Sequence, residues 1–259
     1  MIGCGWGRAT FVLGALTGFG AFAGACKPVA PAAPDVVDPA ALYARALAEP
    51  ASPAMYATFD AVVTSGGRRI SAGGTLVVSP PDRFRVELRG PIGPAQVVVT
   101  CDGHDVRAYM APKNTFYAVN DADAALGALL GAGEGLRGAA VATSLLMGRV
   151  PALPAEPALS AVGPLANATW TRADNASFTL GIDGRTAHLA DARATDPKGV
   201  VLFTGAWEPD VWPKALTLAL PTLDTQADVR FGSWNAASPT DAAFVLEQPP
   251  GSVVGELKF

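Results

Sequence analysis

The sequence predicts a mainly β domain with some helix, organised as one strongly curved antiparallel sheet that is open or closed into a barrel. Thirteen strand-like runs follow one another, and several alternate strictly between apolar and polar side chains. Turn-forming residues separate most runs, as expected where neighbouring strands reverse direction. Helical patterning occurs before the first run and between the two groups of runs. Curving a single sheet buries many strands economically, so we expect about 11 or more strands.

The first predicted element is a helix that begins after Asp38. Asp38 suits the N-cap and Pro39 the first helical position, and apolar residues follow along one side. Six strand-like runs come next, at 56–64, 70–78, 83–89, 96–100, 106–110 and 116–119. Seven more follow a proline-rich passage, at 168–172, 178–182, 186–194, 200–207, 215–220, 228–234 and 244–247.

Residues 1–25 have the pattern of a secretory signal peptide and are excluded from the fold. Arg8 supplies one positive charge, and an uncharged, largely apolar run follows from Ala9 to Cys26. Small residues at 23–25 end this run, as at a cleavage site. The pattern favours a cleaved signal over a membrane span.

Cys26 is the predicted first residue of the mature chain. Ala23-Gly24-Ala25-Cys26 resembles the lipobox of bacterial lipoproteins, in which the Cys receives lipid, although Ala-x-Ala also suits ordinary signal peptidase. A proline- and alanine-rich tether at 26–37 favours the lipoprotein, because such segments hold a domain off a surface. We expect lipidation at Cys26 and a lipid-anchored outer-membrane protein facing the periplasm, with a soluble periplasmic or secreted protein as the alternative.

Residues 38–259 have the composition of a single globular domain. The chain is 50% hydrophobic and 16% charged, with a formal net charge of −4. Its 19 Lys and Arg residues are scattered, so nothing indicates a nucleic-acid interface. Cys101 is the one Cys beyond residue 26, which leaves no disulfide framework and suggests a buried, inert thiol. We expect a monomer.

The stretch 83–100 predicts two antiparallel strands with an unusual connection. Phe84, Val86 and Leu88 alternate with charged residues, so one face of the first strand is packed and the other is solvated. The connection Gly90-Pro91-Ile92-Gly93-Pro94 places one bare isoleucine between stiff turn residues. Ile92 either folds back over Phe84 or Val97 and caps the sheet, or it protrudes toward a partner.

Two short, glycine-interrupted apolar helices are predicted between the two groups of strands. Acidic residues precede Leu126, Leu129 and Leu130 in the first helix, and Leu145 and Leu146 lie in the second. Helices inserted there form either a movable cover or a plug for one end of the barrel.

The residues show no recognisable catalytic or metal-binding pattern. His104 and His188 are too few and too isolated for a metal site. Nucleophile-elbow, phosphate-loop and dinucleotide-binding motifs are missing from the sequence. We therefore predict a protein that is not an enzyme and needs no cofactor.

The segment from Gly74 to Thr100, followed by Cys101-Asp102-Gly103, resembles the LolA/LolB-like lipoprotein-localisation family, and within it the outer-membrane receptor LolB most closely. The resemblance continues through 121–126 and 145–151, which are similar to the lid of that family. Near the end, 212–218 and 244–251 resemble its closing strands. The similar stretches are spread over most of residues 38–251.

This resemblance implies an unclosed antiparallel β-barrel with a helical lid at about 121–148. Its apolar cavity would take the acyl chains of a lipoprotein, or another lipid, delivered by a periplasmic carrier. The family's membrane-inserting leucine falls on Ile92, which makes Pro91, Ile92 and Gly93 the predicted membrane-insertion loop. The predicted cavity residues are Phe59, Leu76, Phe84, Val86, Leu88, Val97, Val99, Leu126, Leu129, Leu130, Leu145 and Leu146.

Burial of long alkyl chains provides the driving force in this hypothesis, because alkyl chains are strongly disfavoured in water. The hypothesis assigns the chain a chaperone-like role in lipoprotein transport to the outer membrane. The sequence is also consistent with two alternative functions. In the first, the domain binds another lipid or hydrophobic ligand. In the second, it is a structural envelope lipoprotein whose core is filled by side chains.

Overall fold

The computed structural model describes residues 38–49, 52–90, 95–129 and 137–256. Within these ranges the chain forms three α-helices, α1 (Pro39–Leu47), α2 (Ala122–Leu129) and α3 (Gly138–Leu146). The strands of the first half are β1 (Met55–Ser65), β2 (Arg68–Ser79), β3 (Arg83–Arg89), β4 (Ala95–Asp102), β5 (Val106–Met110) and β6 (Thr115–Val119). The strands of the second half are β7 (Ala158–Val162), β8 (Leu165–Thr171), β9 (Ser177–Asp183), β10 (Leu189–Thr195), β11 (Val201–Glu208), β12 (Ala215–Leu220), β13 (Thr225–Ala236) and β14 (Val253–Gly255).

All these strands belong to one unclosed sheet, in the order β14-β6-β5-β4-β3-β2-β1-β13-β12-β11-β10-β9-β8-β7. Neighbouring strands are antiparallel except for β14, which pairs in parallel with β6. The two halves of the chain meet where β1 pairs with β13, with Ser65 opposite Thr225. This arrangement confirms the predicted mainly β fold with an open, curved antiparallel sheet.

The alternating side chains of β3 and β4 identify the packed face of the sheet. Val86 lies opposite Val99 and Leu88 opposite Val97, so these four residues share the concave inner face. Phe84 lies on the same face and is 5% exposed. The period-two pattern therefore predicts the facing of this hairpin correctly.

Helix α1 packs on the inner face of the β7 end of the sheet. Asp38 caps it by accepting hydrogen bonds from the backbone N–H groups of Ala40 and Ala41, as the sequence predicts. Leu42 is buried in the largest core cluster, together with side chains of β8–β12. The helix thus fills part of the curved sheet and helps to exclude water from it.

Helices α2 and α3 cross at close range on the inner face of the other half. A Cβ added at Gly138 would lie 2.4 Å from the Asp123 carbonyl oxygen and 2.5 Å from the Gly127 nitrogen. No side chain larger than the hydrogen of glycine therefore fits at this position between the two helices. The Ala139 N–H donates to the Asp123 carboxylate at 3.0 Å, which ties the start of α3 to α2.

The C-terminal segment differs from the prediction of a strand at 244–247. A 3₁₀ helix at Asp241–Phe244 packs instead on the outer face of β3 and β4. Phe244 is 1% exposed there, and the Arg83 guanidinium lies 5.2 Å from its ring centroid. Arg85 donates to the Ala243 carbonyl at 3.1 Å. The face predicted to be solvated is therefore partly covered by the end of the chain.

The sequence pattern also missed two edge strands and misplaced the starts of β8, β10 and β13 by three residues each. β7 lies in the proline-rich passage, and β14 is three residues long, so neither carries a clear alternation. β10 begins at Leu189 because Asp183 organises the preceding residues into a turn. Its carboxylate accepts hydrogen bonds from the backbone N–H groups of Arg185 and Thr186.

Candidate apolar cavity

A cavity of about 290 Å³ lies between α2 and α3 on one side and β3, β4, β11 and β12 on the other. Its lining consists of Phe84, Val86, Val99, Leu126, Ala142, Leu145, Leu146, Phe203, Trp207, Leu216, Leu218 and Leu220. All twelve side chains are apolar or aromatic, and none carries a charge. Such a surface favours alkyl groups and disfavours polar groups, which would lose their hydrogen bonds with water.

Strand alternation brings the β11 and β12 residues to the cavity. Leu216, Leu218 and Leu220 are separated by one residue each, so all three project from the same face of β12. Trp207 on β11 lies opposite Leu216 in the register of the sheet. Between Phe203 and Trp207 stands Gly205, whose missing side chain makes room for the indole. A Cβ there would lie 2.3 Å from the Trp207 ring.

The one hydrogen-bonding side-chain group in the lining is already satisfied. The Trp207 Nε1–H donates to the Leu145 carbonyl oxygen at 2.9 Å, which joins β11 to the last turn of α3. The Gly148 N–H also donates to that carbonyl, at 3.0 Å. The cavity therefore offers packing without an unpaired side-chain donor or acceptor.

Six of the predicted cavity residues meet around this cavity. They are Phe84, Val86, Val99, Leu126, Leu145 and Leu146. Phe59 and Leu76 lie elsewhere, in a buried cluster with Met147. Leu88 is partly buried against that same cluster, and Val97 pairs with it across the strands. These four residues share the inner face with the cavity residues, but Phe59, Leu76 and Leu88 belong to or pack against a separate core cluster.

The remaining predicted positions lie outside what the structure describes. Leu129 ends α2, but its side chain falls outside the described residues, as does all of Leu130. The loop Pro91-Ile92-Gly93 and the lipidation residue Cys26 also lie outside them. Their roles stay predictions.

Half of the residues that line the cavity were not predicted from the sequence. The missed residues are Ala142, Phe203, Trp207, Leu216, Leu218 and Leu220. The alternation in 215–220 was a usable signal for an inward face. Nothing local, however, indicates that β11 and β12 face the same cavity as β3 and β4, which lie on the other side of β1, β2 and β13.

A partly buried polar cluster lies just beyond the end of α3, beside the cavity. Arg149 pairs with Glu49, and His188 Nε2 lies 2.7 Å from Arg149 Nη1 and 2.8 Å from Glu49 Oε1. The Arg149 guanidinium also lies 5.0 Å from the centroid of Trp212. Burial, and next the Arg149 charge, lower the pKa of His188. The neutral imidazole accepts from Arg149, whereas a protonated one would donate to Glu49.

The other potentially reactive groups have structural roles. Burial raises the pKa of the Cys101 thiol to about 11, which keeps it protonated and unreactive at neutral pH. His104 lies exposed in a turn beside Asp105, and a hydrogen bond to that carboxylate raises the pKa of His104. In the described ranges, no group of His, Cys, Asp and Glu side chains is arranged to hold a metal ion. None of the described helices is long and apolar enough to cross a membrane.

Two larger concavities have linings that mix polar and apolar side chains. One, of about 350 Å³, lies on the opposite side of α3 and is lined by Glu49, Arg149 and Thr143 among others. The other, of about 690 Å³, is a groove along β1, β2, β12 and β13 that includes Asp60 and Arg230. The cavity beneath α2 and α3 is distinguished from both by its wholly apolar lining.

Solved structures that share this architecture with TM-scores above 0.5 include the following two. A DUF1329 family protein from Desulfovibrio piger has a TM-score of 0.54 and 9% identity, covering 80% of this chain and 95% of that chain. A LolA superfamily protein from Nitrosomonas europaea has a TM-score of 0.52 and 10% identity, covering 82% of this chain and 98% of that chain. The fold is LolA-like. No family model matches the sequence, and no curated protein sequence matches it.

At these identities the likeness concerns the fold alone. It covers most of the chain and nearly all of each matched structure, so it includes the curved sheet. The expected resemblance to the LolA-like group is thereby supported at the level of architecture. A shared fold at this level of identity does not assign a role to individual residues.

Proposed function

We propose that this protein is a non-enzymatic lipoprotein of the bacterial envelope that binds acyl chains of other lipoproteins and helps to localise them to the outer membrane. The observation that carries the proposal is the wholly apolar cavity of about 290 Å³ beneath α2 and α3, in a LolA-like fold. In this role the protein is LolB-like and faces the periplasm. Cys26 anchors it by lipid, and a periplasmic carrier supplies its cargo.

The size of the cavity determines what it takes up without rearrangement. Binding pockets for small ligands span about 300 to 1,000 Å³, so this cavity lies at the lower end. It suits part of one alkyl chain in its present form. Uptake of a lipoprotein with several acyl chains therefore requires α2 and α3 to move outward, which is the cover role predicted for them.

Substitutions on opposite sides of α3 test whether the cavity binds alkyl chains. Ala142 lines the apolar cavity, whereas Ala140 lines the concavity of mixed polarity on the other side of α3. Ala142→Phe should fill the cavity and abolish binding of a fluorescent fatty acid. Ala140→Phe adds the same ring to the same helix and should leave binding intact. Equal binding by both variants would contradict the assignment of the cavity.

Lipid extraction and native mass spectrometry of the purified protein identify the natural ligand. Copurified lipoprotein supports the localisation role, whereas copurified free lipid supports a carrier of another lipid. A protein that contains no ligand and takes up no fatty acid would instead support a structural envelope lipoprotein.

A further inference from the structure

The turns of the sheet alternate between its two ends, and the two ends differ in character. Five described turns lie at one end, which we call the entry rim: 66–67, 111–114, 172–176, 196–200 and 221–224. The register places them together, since Ser65 is opposite Thr225 and the Gly66 N–H donates to the Asp224 carbonyl at 3.1 Å. The turns at 80–82, 103–105, 163–164, 184–188 and 209–214 form the opposite rim.

The entry rim exposes three large aliphatic side chains on neighbouring hairpins. Ile70 is 62% exposed, Leu223 is 54% exposed and Val200 is 48% exposed. The turn that contains Leu223 lies against β11, and Val200 immediately precedes that strand. Leu223 and Val200 lie in turns, and Ile70 lies at the start of β2, opposite Val63. Exposed aliphatic groups at one end of the sheet gain free energy when they leave water.

The two rims also have opposite charge balances. Within two residues of the entry-rim turns, the basic residues are Arg68, Arg69, Lys113, Arg172 and Lys198, and the acidic residues are Asp174, Asp196 and Asp224. Within two residues of the opposite-rim turns there are six acidic residues, which include Asp102, Asp105 and Asp210, and four basic residues. An excess of cations at one end of a chain with net charge −4 favours contact with an anionic surface at that end.

The chain enters the domain from the side of the entry rim. Tyr43 of α1 contacts Trp170, near the entry-rim end of β8, with ring centroids 6.2 Å apart. Arg45, further along α1, donates to the Gly184 carbonyl at the opposite rim. The helix therefore starts toward the entry rim, and Cys26 stands twelve positions before Asp38. A fully extended tether of that length reaches up to roughly 40 Å.

We propose that the entry rim docks on the surface of a bilayer that contains anionic phospholipid. Ile70, Val200 and Leu223 enter the headgroup region while the surrounding Arg and Lys side chains contact lipid phosphates. Such contacts alone bind weakly, and a lipid anchor at Cys26 would make the attachment durable. The consequence for delivery rests on the proposed function, because Leu220 of the cavity wall directly precedes the 221–224 turn. Docking there brings the acyl cavity toward the membrane.

Vesicle flotation with matched rim variants tests the docking surface. All proteins are the full chain with Cys26→Ser, so the residues before Asp38 contribute equally to each. Ile70→Ser with Leu223→Ser alters the entry rim. Val162→Ser with Val211→Ser is the control at the opposite rim, where these side chains are 58% and 64% exposed. The vesicles are phosphatidylcholine with or without phosphatidylglycerol.

We expect the entry-rim variant to lose about fivefold or more in binding to phosphatidylglycerol vesicles, and the control to bind as the parent does. Arg68→Gln with Lys198→Gln should remove most of the preference for phosphatidylglycerol, as should high salt. Equal binding by the two aliphatic variants, or equal binding to both vesicle types, would overturn the proposal.

Two further readouts separate this proposal from its alternatives. Fatty-acid binding should be the same in parent and rim variants, so its absence from the parent counts against the proposed function and not against docking. Analytical sedimentation of the protein without vesicles tests whether the entry rim instead binds a second copy of this chain. Loss of self-association in the entry-rim variant, with vesicle binding unchanged, would assign this surface to dimerisation and refute membrane docking.

Discussion

Trp207 allows the packing of the cavity wall to be separated from the hydrogen bond that ties it to α3. The residue is 5% exposed, and its indole N–H donates to the Leu145 carbonyl at 2.9 Å. Trp207→Phe removes the N–H but keeps an aromatic ring in the wall. Trp207→Ala removes both the donor and most of the buried apolar surface.

The two substitutions should differ clearly in cost. The Leu145 carbonyl keeps the Gly148 N–H as a partner in Trp207→Phe, so no acceptor is left unpaired. We expect a loss of about 0.5–1.5 kcal/mol in the free energy of unfolding for that variant. Trp207→Ala should cost about 3–5 kcal/mol, because it removes a buried ring and enlarges the cavity that the ring lines. For a domain of this size these losses correspond to decreases in Tm of about 1–6 °C and about 6–20 °C.

Guanidinium unfolding followed by far-UV circular dichroism measures both values without relying on tryptophan fluorescence. Fatty-acid binding by Trp207→Phe should stay near that of the parent, because the apolar lining is kept. If Trp207→Phe were as unstable as Trp207→Ala, the hydrogen bond and not the packed ring would dominate, and our reasoning would be refuted.

Three further predictions concern the helix crossing, the C-terminal segment and the polar cluster. Gly138→Ala should destabilise the protein by about 1–3 kcal/mol, because the new methyl group forces α3 away from α2. Phe244→Ala should cost about 3–5 kcal/mol and make the C-terminal segment sensitive to limited proteolysis, since this ring anchors it on β3 and β4. Acidification from pH 7.5 to pH 5.5 should lower the free energy of unfolding more in the parent than in His188→Gln. The pKa of His188 is lowered in the folded protein, so the unfolded chain takes up its proton first, below about pH 6.5.

Each of these predictions has a control within the chain. Gly199→Ala tests the cost of a methyl group at a glycine with nothing within 4 Å, although its positive φ adds some strain of its own. Val245→Ala changes a 42% exposed neighbour of Phe244 and should leave proteolysis unchanged. An equal pH response in parent and His188→Gln would assign the acid sensitivity to other groups.

Local patterns in the sequence predict much of the sheet. Alternation along 83–89 indicates which residues of β3 face inward, because a strand turns successive side chains to opposite faces. Asp38 and Pro39 mark the start of α1 through capping chemistry that depends on a few neighbouring residues. The open, curved architecture follows from many short antiparallel strands in succession, and the structure confirms it.

Contacts between segments that are far apart in the sequence could be identified only in the structure. The pairing of β1 with β13, the placement of Phe244 over β3 and β4, and the polar cluster of Glu49, Arg149 and His188 all join distant segments. Alternation gives no information on which distant strand becomes a neighbour. The prediction that 244–247 continues the sheet was wrong for this reason, since Phe244 is buried against the outer face instead while Val245 is exposed.

The sequence by itself determined the fold class, the inward face of the β3–β4 hairpin and the apolar character of α2 and α3, because each depends on backbone geometry over a few residues. The tertiary structure decided that Phe84, Trp207 and Leu218, from strands on both sides of β1 and β13, surround one cavity. It also decided that Phe59 and Leu76 fill the core elsewhere. A cavity is the space that packing leaves unfilled, and its position depends on the volumes of side chains that meet after the whole sheet has curved.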